Sequence, residues 1–223
     1  MTRPPARQRL AHARDQDQSA FSEILADLVD RVPGARAAAL VDFDGETVDY
    51  ASHGDPFEIK VAAAHLRIAL HEAQAALPDA RSLAIRGSLR SYLVRALPQD
   101  YALVVVLSCG ATTASLGRGL PLCVHRLATE AGWKGHPAPA WHALDVRTDE
   151  RGRPVAVTDA VAGGDAQGLE IVGAVARGLA RFERGWRVRF NGGEATLVRE
   201  PSGHWYVDER LRGWPSTPPT QIR

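Results

Sequence analysis

Long apolar runs are missing from this chain, and that sets the first limit on what it can be. No stretch approaches the ~20 consecutive apolar residues that a membrane-spanning helix requires. Lysine is almost absent: Lys60 and Lys134 are the only two, every other basic side chain being arginine. Together with abundant alanine, this points to the coding bias of a GC-rich, bacterial genome. Charge of one sign is lacking as well, with 27 basic against 26 acidic residues and a formal net charge of +1. Such a balance leaves no overall field with which to hold nucleic acid or anionic lipid. Cys109 and Cys123 are the only cysteines, and neither stands in a CxxC or Cys/His cluster. Their apolar neighbours read as two buried, reduced thiols. Arg3, Arg7, Arg9 and Arg14 precede no apolar segment, so the N-terminus is not a secretory signal and a cytoplasmic location is expected.

Chemistry-bearing motifs are missing too. The segment Ala162-Gly163-Gly164-Asp165-Ala166-Gln167-Gly168 lacks the Lys-Ser/Thr pair with which a phosphate loop reaches the outer phosphates and magnesium, and it reads as a helix-opening turn. His65 and His71 lie six apart rather than at the i, i+4 spacing of a zinc helix. His136 and His142 flank a proline-containing linker with no thiol or carboxylate at ligand spacing. Ser88 has no GxSxG elbow around it, and Asp42 and Asp44 bracket a hairpin, where aspartate serves turn chemistry. The expectation is a protein that is not an enzyme, with no catalytic residue, no cofactor and no metal.

What is present is patterning. With 223 residues the chain is long enough for two small domains. Residues 1–18 carry Pro4-Pro5, many charges and only Leu10 as a large apolar side chain, and read as a flexible tail. Ser19 is a candidate N-cap for a helix whose apolar face is Phe21, Ile24, Leu25, Leu28 and Val32, stopped by Pro33-Gly34. Strands at 37–41 and 47–51 flank Asp42-Phe43-Asp44-Gly45-Glu46, where Asp-Gly supplies a tight antiparallel turn. From 55 to 77 the period becomes helical. Phe57, Ile59, Ala62, Ala63, Leu66, Leu70, Ala73 and Leu77 form a stripe for the sheet. Val61, Ala64, Ile68 and Ala75 form a second stripe, interrupted by His65, His71 and Glu72. A helix apolar on two sides has more than one neighbour, and small alanines on the second stripe suit close approach of another helix.

Three strands follow, at 82–86, 91–97 and 101–107, turned at Gly87-Ser88 and Gln99-Asp100. The last is apolar throughout, as a central strand covered on both faces should be. Arg81, Arg86, Arg90 and Arg95 run through this meander and read as protection of strand edges. A final helix capped near Thr112 or Thr113 carries Leu116, Leu120, Val124 and Leu127, with Pro121 near its start and Gly132 at its end. Residues 134–140 have linker composition. Beyond them, strands at 143–147 and 155–158 precede a helix at 166–181 with Asp165 as N-cap and a face of Leu169, Val172, Val175, Ala176, Leu179 and Phe182. Strands at 186–190, 195–199 and 205–208 close that unit, and 214–223 is a loose tail. Trp186, Trp205 and Tyr206 are a candidate aromatic ligand platform, or core.

The order helix, two strands, long helix, three strands, helix resembles a roadblock-type domain, the dynein light chain and small-GTPase-regulator family. Val32-Pro33-Gly34, the strand Leu40-Val41-Asp42 with Asp44-Gly45, Ala62-Ala63-Ala64 and Tyr101-Ala102-Leu103-Val104-Val105-Val106-Leu107 carry the resemblance, which covers 21–133. Where that family often has a proline after the last strand, this chain has Ser108-Cys109-Gly110. The fold expected is α/β (α+β), roadblock- or profilin-like. It has an antiparallel five-stranded sheet with a long helix on one face and two on the other in 19–133, and a smaller C-terminal α+β unit in 141–213. The resemblance implies a homodimer that docks and modulates or scaffolds a Ras-like small GTPase in a bacterial cytoplasm, in cell polarity or motility. No nucleic acid or membrane insertion is expected. Periodicity nominates Lys60, Val61, Ala64, Arg67, Ile68, His71 and Ala75 as the partner or dimer interface. The alternative is a ligand-sensing or adaptor protein of profilin-like fold with no GTPase partner.

Overall fold

The computed structural model describes residues 12, 14–135, 137–160, 163–190 and 193–208. The chain divides into two compact units, Met1–Pro137 and Ala138–Arg223. The expected tail at 214–223, His136, Ala162 and the Asn191-Gly192 turn lie outside the described residues.

In the first unit, helix α1 (Ala20–Arg31) begins at Ser19, whose hydroxyl accepts from the Ser22 backbone N–H while the Ser22 side chain reaches back to the cap. This reciprocal cap satisfies two backbone groups that a helix start otherwise strands. Strands β1 (Ala35–Val41) and β2 (Thr47–Ser52) pair antiparallel across the predicted turn. The turn is locked by Asp42, whose carboxylate accepts from the Glu46 N–H at 2.9 Å, with Gly45 at φ +85°. Helix α2 (Pro56–Ala76) follows, with Asp55 capping the Phe57 N–H at 2.9 Å and Pro56 at the first turn, where its missing N–H costs nothing. Strands β3 (Ser82–Arg86), β4 (Arg90–Ala96) and β5 (Ala102–Ser108) complete a sheet of order β2-β1-β5-β4-β3. A 3₁₀ turn at Thr113–Leu116 leads to helix α3 (Gly119–Glu130), with Pro121 in its first turn.

Strand alternation divides the core of this unit into two layers. Leu103, Val105 and Leu107 of β5, with Ala38 and Leu40 of β1, pack against Leu25, Leu28 and Val29 of α1 and Cys123 and Leu127 of α3. Ala102, Val104 and Val106, with Ala37, Ala39 and Val41, face Ile59, Ala63, Leu66 and Leu70 of α2. The sheet therefore carries one helix on one face and two on the other, as the pattern predicted. Asp27 joins the paired helices, accepting from Arg31 at 2.8 Å and from Arg126 of α3 at 2.9 Å.

Two expectations for this unit fail. Cys123 is buried, and burial pushes its thiol up to about 12, but Cys109 is exposed; both are free. Arg14 and Asp15, read as part of a flexible tail, lie against β2. Arg14 donates to the Tyr50 carbonyl and to Asp49 Oδ1 (2.8 Å), and the Asp15 N–H donates to the Tyr50 hydroxyl at 2.8 Å. These charged residues are held by hydrogen bonds to a strand edge, which hydrophobicity alone does not reveal.

The second unit is a single seven-stranded antiparallel sheet: β6 (His142–Thr148), β7 (Pro154–Asp159), β8 (Gly163–Gly168), β9 (Glu170–Val175), β10 (Arg184–Phe190), β11 (Gly193–Arg199) and β12 (Trp205–Val207). Its order is β8-β7-β6-β12-β11-β10-β9. The helix expected at 166–181, and with it the strand-strand-helix-three-strand plan, is overturned. Asp165 caps nothing helical and sits in β8. The helical spacing of Leu169, Val172, Val175, Ala176, Leu179 and Phe182 arises from joining a strand to the loop that follows it. Ile171, Val172 and Val175 are β-branched, and Gly168, Gly173 and Gly178 are poor helix residues.

The topology then dictates a curl. Strands β8 and β9 are the two outer strands, yet only Leu169 separates them in the chain. In a flat sheet they would stand about 29 Å apart, whereas one residue spans at most about 3.6 Å. The sheet must roll until its ends meet. Its interior is filled by Leu144, Val157, Val188, Phe190, Leu197, Trp205 and Val207.

Candidate interaction surface

Helix α2 gives the sheet Ile59, Ala63, Leu66 and Leu70 and leaves its opposite side open. On that side Phe57 is 69% exposed, Val61 37% and Ile68 55%. Phe57, Val61 and Ile68 follow one another at spacings of a turn or two, so they form one apolar line along the helix. Ala75 continues it, exposed, and His65 and Glu72 interrupt it. Phe57 and Leu77, assigned from periodicity to the sheet stripe, are exposed instead. They occupy the two ends of the helix, beyond the layer it covers.

The nominated residues separate into two groups. Val61, Ile68, His71 and Ala75 stand on the open side. Lys60, Ala64 and Arg67 are engaged within the unit. Lys60 reaches both carboxylate oxygens of Asp15 at 2.9 Å and lies 5.2 Å over the Tyr50 ring. Ala64 lies under the β1–β2 turn: a Cβ on Gly45 would come within 3.5 Å of its Cα. The small side chain admits a hairpin there rather than another helix. Arg67, expected to be exposed, is buried. Its guanidinium donates to the Asp100 carbonyl at 3.3 Å, in the turn after β4, and sits 5.7 Å over the Phe43 ring.

Phe43 is the residue that pattern reading passed over. It sits at the hairpin tip, 61% exposed, beside Arg67 and edge-on to His71 at 6.4 Å. A turn residue between two aspartates carries no periodicity, and only the folded hairpin brings it to α2. The surface extends to β3, the outer strand of the sheet. Leu83 faces the α2 layer, and Ile85 lies on the same side of the strand but is largely open. Arg90 pairs with Glu58 at 2.9 Å, joining the start of α2 to β4. The electrostatics are local ion pairs around an apolar line.

In the second unit, Trp186 and Trp205 pack with ring centroids 5.0 Å apart inside the rolled sheet. Tyr206 follows Trp205 directly and so points to the other face of β12. The three aromatic side chains do not converge. The Gly163–Gly168 part of the supposed helix-opening turn is strand β8.

No protein-family model matches this sequence, and the curated proteins compared with it include no match. Solved structures do align with it. A Roadblock/LC7 domain from Streptomyces avermitilis matches with a TM-score of 0.46 and 20% identity, over 50% of this chain and 97% of that one. MglC from Myxococcus xanthus matches with a TM-score of 0.39 and 23% identity, over 50% and 99%. The gliding protein MglB from Thermus thermophilus matches with a TM-score of 0.44 and 19% identity, over 49% and 87%. No helix among the described residues is long and apolar enough to cross a membrane. Over about half of its length, this chain is similar to roadblock-type domain structures.

Proposed function

We propose that this chain is a non-enzymatic regulatory protein that forms a roadblock-like homodimer and docks a Ras-like small GTPase in a bacterial cytoplasm, modulating or scaffolding it. The observation that carries the reading is the open side of α2. Phe57, Val61 and Ile68 form a solvent-facing apolar line, flanked by Phe43 and by the open strand edge of β3. Apolar side chains gathered in this way mark a protein contact more often than an isolated exposed residue does. Self-association through α2 and β3 would bury the line and give the β3 backbone hydrogen-bond partners. A GTPase bound more tightly in one nucleotide state would be biased toward that state without any catalytic group from this chain.

Light scattering coupled to size exclusion tests the dimer. The unaltered chain should run as a dimer and Ile68→Asp as a monomer at micromolar concentration, with an unchanged circular dichroism spectrum. A dimer that survives both Ile68→Asp and Phe57→Asp sinks the proposed interface. Nucleotide-dependent recovery of a Ras-like GTPase on the immobilised dimer tests the partner, and recovery indifferent to GDP or GTP counts against the regulatory role.

A further inference from the structure

Away from α2, three side chains remote in sequence converge at the far end of β2. They are His12 before the first helix, Asp30 in the last turn of α1, and His53 just after β2. His12 Nε2 lies 3.3 Å from Asp30 Oδ1, and His53 Nε2 lies 3.8 Å from the same oxygen. The two imidazole rings stack at 4.5 Å with 18° between their planes. All three side chains are mostly buried, with 13%, 20% and 14% of their surface exposed for His12, Asp30 and His53. Among the described residues this is the one group of at least three His, Cys, Asp or Glu side chains whose ligand atoms lie within 4.8 Å of one another.

Hydrogen bonding does not account for the cluster. Both nitrogens of His12, Nδ1 of His53 and Oδ2 of Asp30 are buried without a hydrogen-bond partner. The His12–Asp30 contact is close but not aligned as a hydrogen bond. Buried polar groups left in this state are costly. Their ligand atoms lie near enough to one another to share a single ion, once the stacked rings turn their nitrogens toward it. With metal–ligand bonds near 2.0–2.1 Å, adjacent ligands of a tetrahedral zinc ion stand about 3.3 Å apart, close to the separations found here. Two imidazoles and one carboxylate favour a borderline transition ion over magnesium or calcium, which prefer sets of oxygen ligands. The C-terminal end of α1 adds partial negative charge that suits a cation. Burial, then the neighbouring His12, lowers the His53 pKa, with Arg36 acting the same way and Asp30 opposing.

We propose that His12, Asp30 and His53 bind one divalent transition ion of the zinc class, leaving a fourth position open, and that this ion pins the segment before α1 to α1 and to the end of β2. Neither Nδ1 is held by a protein group, so the orienting outer shell that tightens many zinc sites is lacking and the site binds more weakly than one that has it, by about 10–100-fold.

Calorimetric titration of zinc chloride into the metal-free full chain should give one ion per chain, and magnesium chloride should give none. His53→Gln and Asp30→Asn should each weaken zinc binding at least tenfold, while His65→Gln, on the exposed side of α2, leaves it unchanged. One equivalent of cobalt(II) on the unaltered chain should develop a visible ligand-field band that His12→Gln removes, and zinc should slow tryptic cleavage after Arg14. The proposal is overturned by the absence of stoichiometric zinc, by magnesium binding equally well, or by zinc binding that survives His53→Gln. If that variant fails to fold, a cobalt complex of the unaltered chain without a ligand-field band overturns it just as firmly.

Discussion

The two units must both keep a β-sheet out of water, and they do so by opposite means. The first covers its sheet with helices on both faces, so β1 past Arg36 and β5 are buried on either side and their apolar residues run together. The second has no helix among its described residues and rolls its sheet until one face becomes an interior. Its strands accordingly alternate, as in β10, where Val188 and Phe190 are buried between exposed Arg187 and Arg189. The edges differ too. The first unit covers β2 with Arg14 and Asp15 and leaves β3 open. The second makes both of its edges, β8 and β9, from one nearly continuous run of chain bent at Leu169. A sheet roofed by helices leaves the outer side of a helix as well as a strand edge to offer a partner, whereas the rolled sheet joins its two outer strands through Leu169. The exposed apolar line of α2 places the candidate docking surface in the first unit.

The largest expected effect sharpens the contrast between the cores. Leu103 in β5 and Leu197 in β11 are both fully buried, each in its own cluster. Truncation of either to alanine should cost about 2–5 kcal/mol, the removed methyl groups plus the cavity they leave. In calorimetric melting, Leu103→Ala should lower only the transition of the first unit and Leu197→Ala only that of the second. A single transition that falls equally in both variants would break the picture of two separately built cores.

Much of the first unit was readable in advance because its elements carry strong local marks. For α2 a cap and proline at Asp55-Pro56 coincide with a helical stripe through Ile59, Ala63, Leu66 and Leu70. For β5 an unbroken apolar run marks a strand buried on both faces. The helix expected at 166–181 had a stripe but glycines and β-branched residues within it, and local preference won over apparent period. The surface was legible in part. Ile68 and Val61 follow from spacing, but the burial of Arg67 depends on where the turn at Asp100 and the ring of Phe43 come to rest. His12, Asp30 and His53 share no motif, and only tertiary folding brings them together.

A smaller effect tests how tightly the first unit is closed at its turns. Gly34, at φ +84°, links α1 to β1, and its carbonyl accepts from the Ser108 N–H at 2.8 Å. A Cβ there would stand 2.7 Å from the Ala111 Cβ and 2.8 Å from the Ser108 Oγ. Gly34→Ala combines backbone strain with a steric overlap that the β5–α3 connection must absorb. It should cost about 1–3 kcal/mol in denaturant unfolding. A neutral result would mean that this connection yields freely, and that the first unit is held by its helix layers alone.

The finest test concerns the covered edge of β2. Hydrogen bonds from Lys60, then from Tyr50, hold the Asp15 carboxyl below its usual 3.8. A lowered carboxylate contributes its stabilisation above the unfolded value and loses it as the pH falls through the folded one. The Asp15 anchor is therefore fully made at neutral pH and is lost only in acid, below 3.8. From the other side, burial first and Asp15 second raise the Tyr50 pKa above 10.0. Asp15→Asn removes the negative charge beside the phenol but leaves Arg14 able to reach the Tyr50 carbonyl, so the strand edge stays covered. Spectrophotometric titration should show the Tyr50 ionisation moving down toward 10.0, with Tyr50→Phe identifying its contribution among the four tyrosines. An unmoved midpoint would mean that Asp15 does not rest on Tyr50 in solution. The edge of β2 would then be covered by Arg14 alone.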